Sequence, residues 1–81
     1  MRVLYFSWLR ERVGTAEEEV ETEAPTARAL VVELSARDER HAAAFENLRA
    51  VRVAVDQRMV DLDTPLAGAR EVAFFPPVTG G

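Results

Sequence analysis

Residues 2–9 alternate. Val3 and Tyr5 fall on one side of an extended chain, and Leu4, Phe6 and Trp8 on the other. Both sides are largely apolar, so the pattern predicts a strand that is central or lies near a partner. Arg10-Glu11-Arg12-Val13-Gly14 breaks the alternation, and Gly14-Thr15 reads as a turn. From Glu17 to Glu23, five glutamates enclose Val20 and Thr22. That spacing predicts a second strand with a solvated acidic face, paired to the first as a hairpin. Pro25-Thr26 then opens a helix with Thr26 as its N-cap. Ala27, Leu30, Val31 and Leu34 follow at i, i+3, i+4 and i+7, one apolar face at helical period.

The helix fades between Ser35 and Asp38. In residues 39–48, Ala42, Ala43, Phe45 and Leu48 fit a short second helix or a wrapped loop pinned by Phe45. Val51, Val53 and Val55 alternate with Arg52 and Ala54 as a half-buried strand. Asp56-Gln57 is a turn, Met59 to Leu62 resumes extended chain, and Asp63-Thr64-Pro65-Leu66 is a tight or 3₁₀ turn with Gly68 as a further break. Glu71 to Phe75 is the last strand. The order β-β-α-β-β predicts an α+β fold, a mixed sheet packed on one main helix: the β-grasp, or ubiquitin-like, architecture. Its first and last strands are parallel neighbours at the sheet centre. They are the most apolar strands here, as that position requires.

The chain has 81 residues, 48% hydrophobic and 30% charged, which is one ordered domain with a small core. Ten basic and 14 acidic residues leave a net charge of −4. Such a surface repels phosphate backbones and anionic membranes, so neither nucleic acid nor a membrane is an expected partner. No apolar run approaches the roughly 20 residues that span a bilayer, the N-terminus lacks a secretory layout, and cytoplasm is the expected location. Without Cys there is no disulfide, thiolate metal site or Cys nucleophile. Every basic side chain is Arg, so lysine chemistry is absent as well.

The folded body offers little to a catalyst. His41 stands alone in a polar stretch, Asp38-Glu39-Arg40-His41, and reads as a surface residue. Ser7 and Ser35 have no His at useful spacing, and the glycines form no phosphate loop. Asp61 and Asp63 read as turn carboxylates, and no metal site is expected.

The end of the chain is different. Beyond the last strand it runs through Pro76-Pro77-Val78-Thr79 to Gly80-Gly81. Two prolines fix φ and remove two N–H donors, which makes a stiff extended spacer that leaves the sheet. Gly80-Gly81 has no side chains and can thread a pocket that any Cβ would block. Residues 76–81 extended would reach roughly 20 Å, enough to enter a neighbouring protein. The organisation is therefore a domain over 1–75 and a tail over 76–81, flexible when free. The reactive group is the α-carboxylate of Gly81. A carboxylate is a poor electrophile and must be activated, most simply as an acyl-adenylate. That chemistry requires Gly81 to be the last residue.

The ending Glu71-Val72-Ala73-Phe74-Phe75-Pro76-Pro77-Val78-Thr79-Gly80-Gly81 resembles that of the small subunit of molybdopterin synthase. So do the opening Val3-Leu4-Tyr5-Phe6 with Arg10-Glu11 and Val13-Gly14, the capped helix, and Ala54-Val55-Asp56-Gln57 with Asp63-Thr64-Pro65-Leu66. Asp56 stands where the family often has Asn, and Gly68-Ala69-Arg70-Glu71 where it often has Gly-Asp-Glu. The resemblance implies that an E1-like enzyme adenylates Gly81 with ATP and that sulfur then replaces AMP as a thiocarboxylate. It implies insertion of Pro76, Pro77, Val78, Thr79 and Gly80 into the large synthase subunit, where sulfur passes to a cyclic pyranopterin, in a heterotetramer with no cofactor bound to this chain. It assigns Phe6, Met59 and Phe75 to the partner interface and Arg10 to contact with the activating enzyme. A thiamine or tRNA sulfur carrier, a ubiquitin-like modifier joined to lysines, and a plain interaction module are the alternatives.

Overall fold

A computed structural model describes residues 1–77. Strand β1 (Arg2–Tyr5) leads through α1 (Trp8–Val13) to β2 (Glu17–Glu19). Helices α2 (Ala27–Ser35) and α3 (Glu39–Ala44) and a 3₁₀ turn (Leu48–Ala50) precede β3 (Arg52–Val55), β4 (Arg58–Val60) and β5 (Glu71–Phe75). The sheet order is β2-β1-β5-β3-β4. β1 and β5 are parallel at the centre, and the other pairs are antiparallel. This is the expected β-grasp sheet.

The main helix forms as its sequence dictates. The Thr26 hydroxyl accepts the Ala29 N–H at 3.1 Å, and Ala27, Leu30, Val31 and Leu34 are all buried. They meet Val3, Tyr5, Val53, Val72 and Phe74 from one face of the sheet. Phe45 caps α3 and packs edge-on to Phe74, with ring centroids 4.9 Å apart.

Three local readings are corrected. The alternation of residues 2–9 does not continue as a strand past Tyr5. Ser7 takes φ 58°, the chain turns out of the sheet, and α1 begins at Trp8. Gly14 ends that helix in the left-handed conformation at φ 97°. Arg40 of α3 completes the cap, donating to the carbonyls of Arg12 and Val13. Second, β2 is only three residues long; Val20 is buried beyond it and the acidic run leaves the sheet. Third, the extended chain expected over Met59 to Leu62 is shorter, Arg58–Val60, and adds a fifth strand to the sheet; the turn at Asp56-Gln57 stands as expected and pairs it to β3, with φ 49° and 69°. Both positive angles are what a two-residue hairpin turn needs.

His41 is the largest correction. It is 6% exposed rather than a surface residue. Its Nδ1 lies 2.8 Å from Asp38 Oδ1 and its Nε2 lies 2.7 Å from Glu18 Oε2. The buried Tyr5 hydroxyl donates to the same Glu18 oxygen at 2.7 Å, and Arg37 holds the other at 2.7 Å. Burial pushes the Glu18 carboxyl up, but hydrogen bonds from His41 and Tyr5 and the charges of His41 and Arg37 outweigh it. The net effect holds Glu18 below the usual carboxylate range. Burial, then the Glu18 hydrogen bond, push the Tyr5 hydroxyl far above its ordinary value. The backbone N–H of His41, then its ring, hold Asp38 low. The network ties β1, β2 and α3 together.

Candidate functional site

The helices pack on one face of the sheet; the other carries the exposed Phe6 and Met59, with the small, buried Ala54 and Ala73 between the strands' larger side chains. Alternation sends Val3, Tyr5, Val72, Phe74 and Val53 to the covered side, so their neighbours point outward. The pairing aligns these neighbours in rows. Leu4 lies beside Ala73, Ala73 beside Ala54, and Ala54 beside Met59. The two alanines of the central strands make the middle of the row low, with Leu4 at one side and Met59, 61% exposed, at the other.

The next row stands where β5 ends. The Phe6 N–H donates to the Phe74 carbonyl at 3.0 Å, extending the β1–β5 ladder by one step. That places the Phe6 ring, 48% exposed, edge-on to Phe75 with centroids 6.4 Å apart. Arg52 is paired with Phe75 from the β3 side. Pro76 and Pro77 follow at once, half-buried and outside any strand. Two of the three residues expected at an interface thus form a pair at the base of the tail, and Met59 lies on the same outer face, one row away and two strands across.

Arg10 is exposed on α1, and neither it nor Arg52 has a carboxylate within ion-pair distance among the described residues. The β2 edge of the same face is acidic. Glu17, beside Leu4, pairs with Arg2 at 2.7 Å, and Glu19, beside Arg2, pairs with the Met1 amine at 3.2 Å. Val78, Thr79, Gly80 and Gly81 lie outside the described residues.

The rest of the body is structural by its contacts. Asp61 accepts the Asp63 N–H at 2.9 Å, and Asp63 takes the Arg28 guanidinium at 2.8 Å, so both hold the turn. Asp56 accepts the N–H groups of Arg70 and Glu71, which ties the hairpin to the start of β5. Clefts of about 590 and 720 Å³ open around Met1, residues 19–25 and residues 65–69. Among the described residues, no group of three His, Asp or Glu could hold a metal ion, and no helix is long and apolar enough to cross a membrane.

Residue identities alone did not single out Leu4, Ala54, Ala73 and Arg52 as part of the outer face. The alternation in β1, β3 and β5 carried that signal, but only the register aligns them.

Residues 3–81 match the model of the ThiS family. The molybdopterin synthase sulfur carrier subunit of Escherichia coli strain K12 is 46% identical over 81 residues, covering this whole chain and 99% of that protein. A Pyrococcus furiosus structure described as molybdopterin converting factor, subunit 1, superposes with a TM-score of 0.74 at 32% identity over 95% of each chain. SAMP1 from Haloferax volcanii, at 24% identity, has the same fold, with a TM-score of 0.73 over 100% of this chain and 98% of that one.

Proposed function

This chain belongs to the ThiS family, and from that membership we propose that it is the sulfur-carrier small subunit of molybdopterin synthase. The relative most informative for this reading bears that name and aligns end to end. The structural observation that supports it is the coincidence of two features: an outer sheet face that carries the exposed Phe6 and Met59, and the point on that face where the chain leaves the sheet at Pro76-Pro77.

The chemistry proceeds at the terminal carboxylate of Gly81. A carboxylate oxygen attacks the α-phosphorus of ATP on an E1-like enzyme and pyrophosphate leaves. A sulfur donor then displaces AMP and leaves a thiocarboxylate. Sulfur is the softer and better nucleophile, suited to attack on a cyclic pyranopterin monophosphate inside the large subunit. Each attack joins carrier and pterin through an acyl–sulfur bond, which water hydrolyses, leaving sulfur on the pterin and releasing the spent carrier as the carboxylate; two such transfers build the dithiolene. The domain over 1–75 supplies docking, and residues 76–81 supply reach. Phe6, Phe75 and Met59 meet the large subunit, and Arg10 meets the activating enzyme. Catalytic side chains belong to the large subunit, in a cytoplasmic heterotetramer.

Intact-mass measurement tests the reading. After incubation with the activating enzyme, ATP and a sulfur donor, the chain gains the mass difference of sulfur for oxygen at Gly81. An unchanged mass removes the proposal. Deleting Gly81, or adding one residue after it, abolishes transfer and leaves the unfolding temperature where it was. A thiamine or tRNA sulfur carrier would show the same mass gain, but would not co-purify with a pterin-binding large subunit.

A further inference from the structure

Arg52 occupies a place that an apolar docking face does not by itself explain. It stands beside Phe75 in the row at the base of the tail. Its side chain is not loose. Nη1 donates to the carbonyl of Arg49 at 3.1 Å and to that of Val51 at 3.2 Å. Those two bonds fix the guanidinium and use one of its nitrogens. Nε and Nη2 have no hydrogen-bond partner among the described residues. Together they form the side-on edge of the fork, whose two parallel N–H groups match a carboxylate.

Arg52 is set apart by its place beside Phe75 and not by the lack of a partner alone, since Arg10, Arg40, Arg49, Arg58 and Arg70 also have no carboxylate partner among the described residues. The protein is acidic overall, and Arg2, Arg12, Arg28 and Arg37 all have carboxylate partners. A partner that covers Phe6 and Phe75 also strips water from Arg52. An unpaired guanidinium in a closed interface is strongly unfavourable, so the covering surface must supply an acceptor of opposite charge.

We infer that Arg52 is a specificity-determining residue of the docking face, and that the large subunit presents an Asp or Glu carboxylate to its Nε–Nη2 edge where it covers Phe75. This rests on the docking reading above and adds the partner's charge. The pair sets the register of the tail: a carboxylate clasped at Arg52 fixes where Pro76 points relative to the partner's pocket. Lys at this position keeps the charge but loses the fork, so it does not substitute fully.

The experiment is calorimetric titration of the full-length chain into its large subunit at two salt concentrations. Arg52→Glu weakens binding at least tenfold and Arg52→Lys several-fold, and both lower the salt dependence of the affinity. Arg58→Glu makes the same charge change on β4 at a position facing away from Met59 and the outer face. It leaves affinity within twofold. Arg52→Gln replaces the charge reversal if that variant does not fold, and it also weakens binding several-fold. Binding by Arg52→Glu within twofold of the unaltered chain overturns the inference, as does an equal loss from Arg58→Glu. If Phe75→Asp abolishes binding while every Arg52 variant binds normally, the docking reading stands and the carboxylate partner falls. If the unaltered chain does not bind the large subunit, both fall.

Discussion

Replacing Glu18 with Ala removes one side chain that serves three donors. The Tyr5 hydroxyl and His41 Nε2 both lose Oε2, and Arg37 loses Oε1. Arg37 is exposed and finds water. Tyr5, 1% exposed, and His41, 6% exposed, are more confined. Each buried polar group left without a partner costs about 1–3 kcal/mol, so the expected loss is about 3 kcal/mol. For a domain of this size, total stability is on the order of 5–10 kcal/mol, and each kcal/mol moves the midpoint by about 4–8 °C. Thermal unfolding followed by circular dichroism should therefore show a drop of about 12–24 °C. Adding Tyr5→Phe to Glu18→Ala removes one orphan and should recover part of the loss. The pH dependence has a definite sign. The folded Glu18 carboxyl is held below the ordinary glutamate value. Its contribution is full above that value and is lost as pH falls through the folded one. Glu18→Ala should flatten this part of the acid limb. A loss below about 1 kcal/mol, or no recovery in the double variant, would refute the network as a source of stability.

Other outcomes follow from single contacts. Met59→Asp should leave the urea midpoint nearly unchanged, since the side chain is 61% exposed, yet weaken binding to the large subunit at least tenfold in a pull-down titration. Gly14→Ala should cost about 1–3 kcal/mol in urea unfolding, because φ is 97° and a new Cβ would lie 2.8 Å from the Arg40 guanidinium. Gln57→Gly should stabilise by about 0.5–1 kcal/mol in the same assay by relieving a positive φ. Leu30→Ala, at a fully buried position of α2, should cost about 2–5 kcal/mol.

What could be read directly from residues was local and periodic. Thr26 with the Ala27–Leu34 stripe specified α2 by chemistry that acts within two turns, and β5 was legible because its residues are apolar on both faces. The first strand was overextended because Phe6 and Trp8 continue its alternation, and no Gly or Pro marks the exit at Ser7. A weaker signal was present: Leu9 and Val13 are four apart, and Gly14 follows them. His41 misled because its burial comes from Glu18, 23 residues earlier in the chain, and charged neighbours in sequence conceal that. The outer face needed register. Leu4, Ala73, Ala54 and Met59 come from four separate strands and share a row only once pairing is known.

Because β1 and β5 run side by side in the same direction, the polypeptide enters the sheet at one edge and departs at the opposite one. Four paired residues separate the amine of Met1 from the exit at Pro76, roughly 15 Å of sheet. A purification handle, fluorophore or surface tether should therefore be fused ahead of Met1. There it projects away from the end at which the chain leaves the sheet, so the protein can be immobilised, pulled or imaged without any addition after Gly81, the residue on which the proposed chemistry turns.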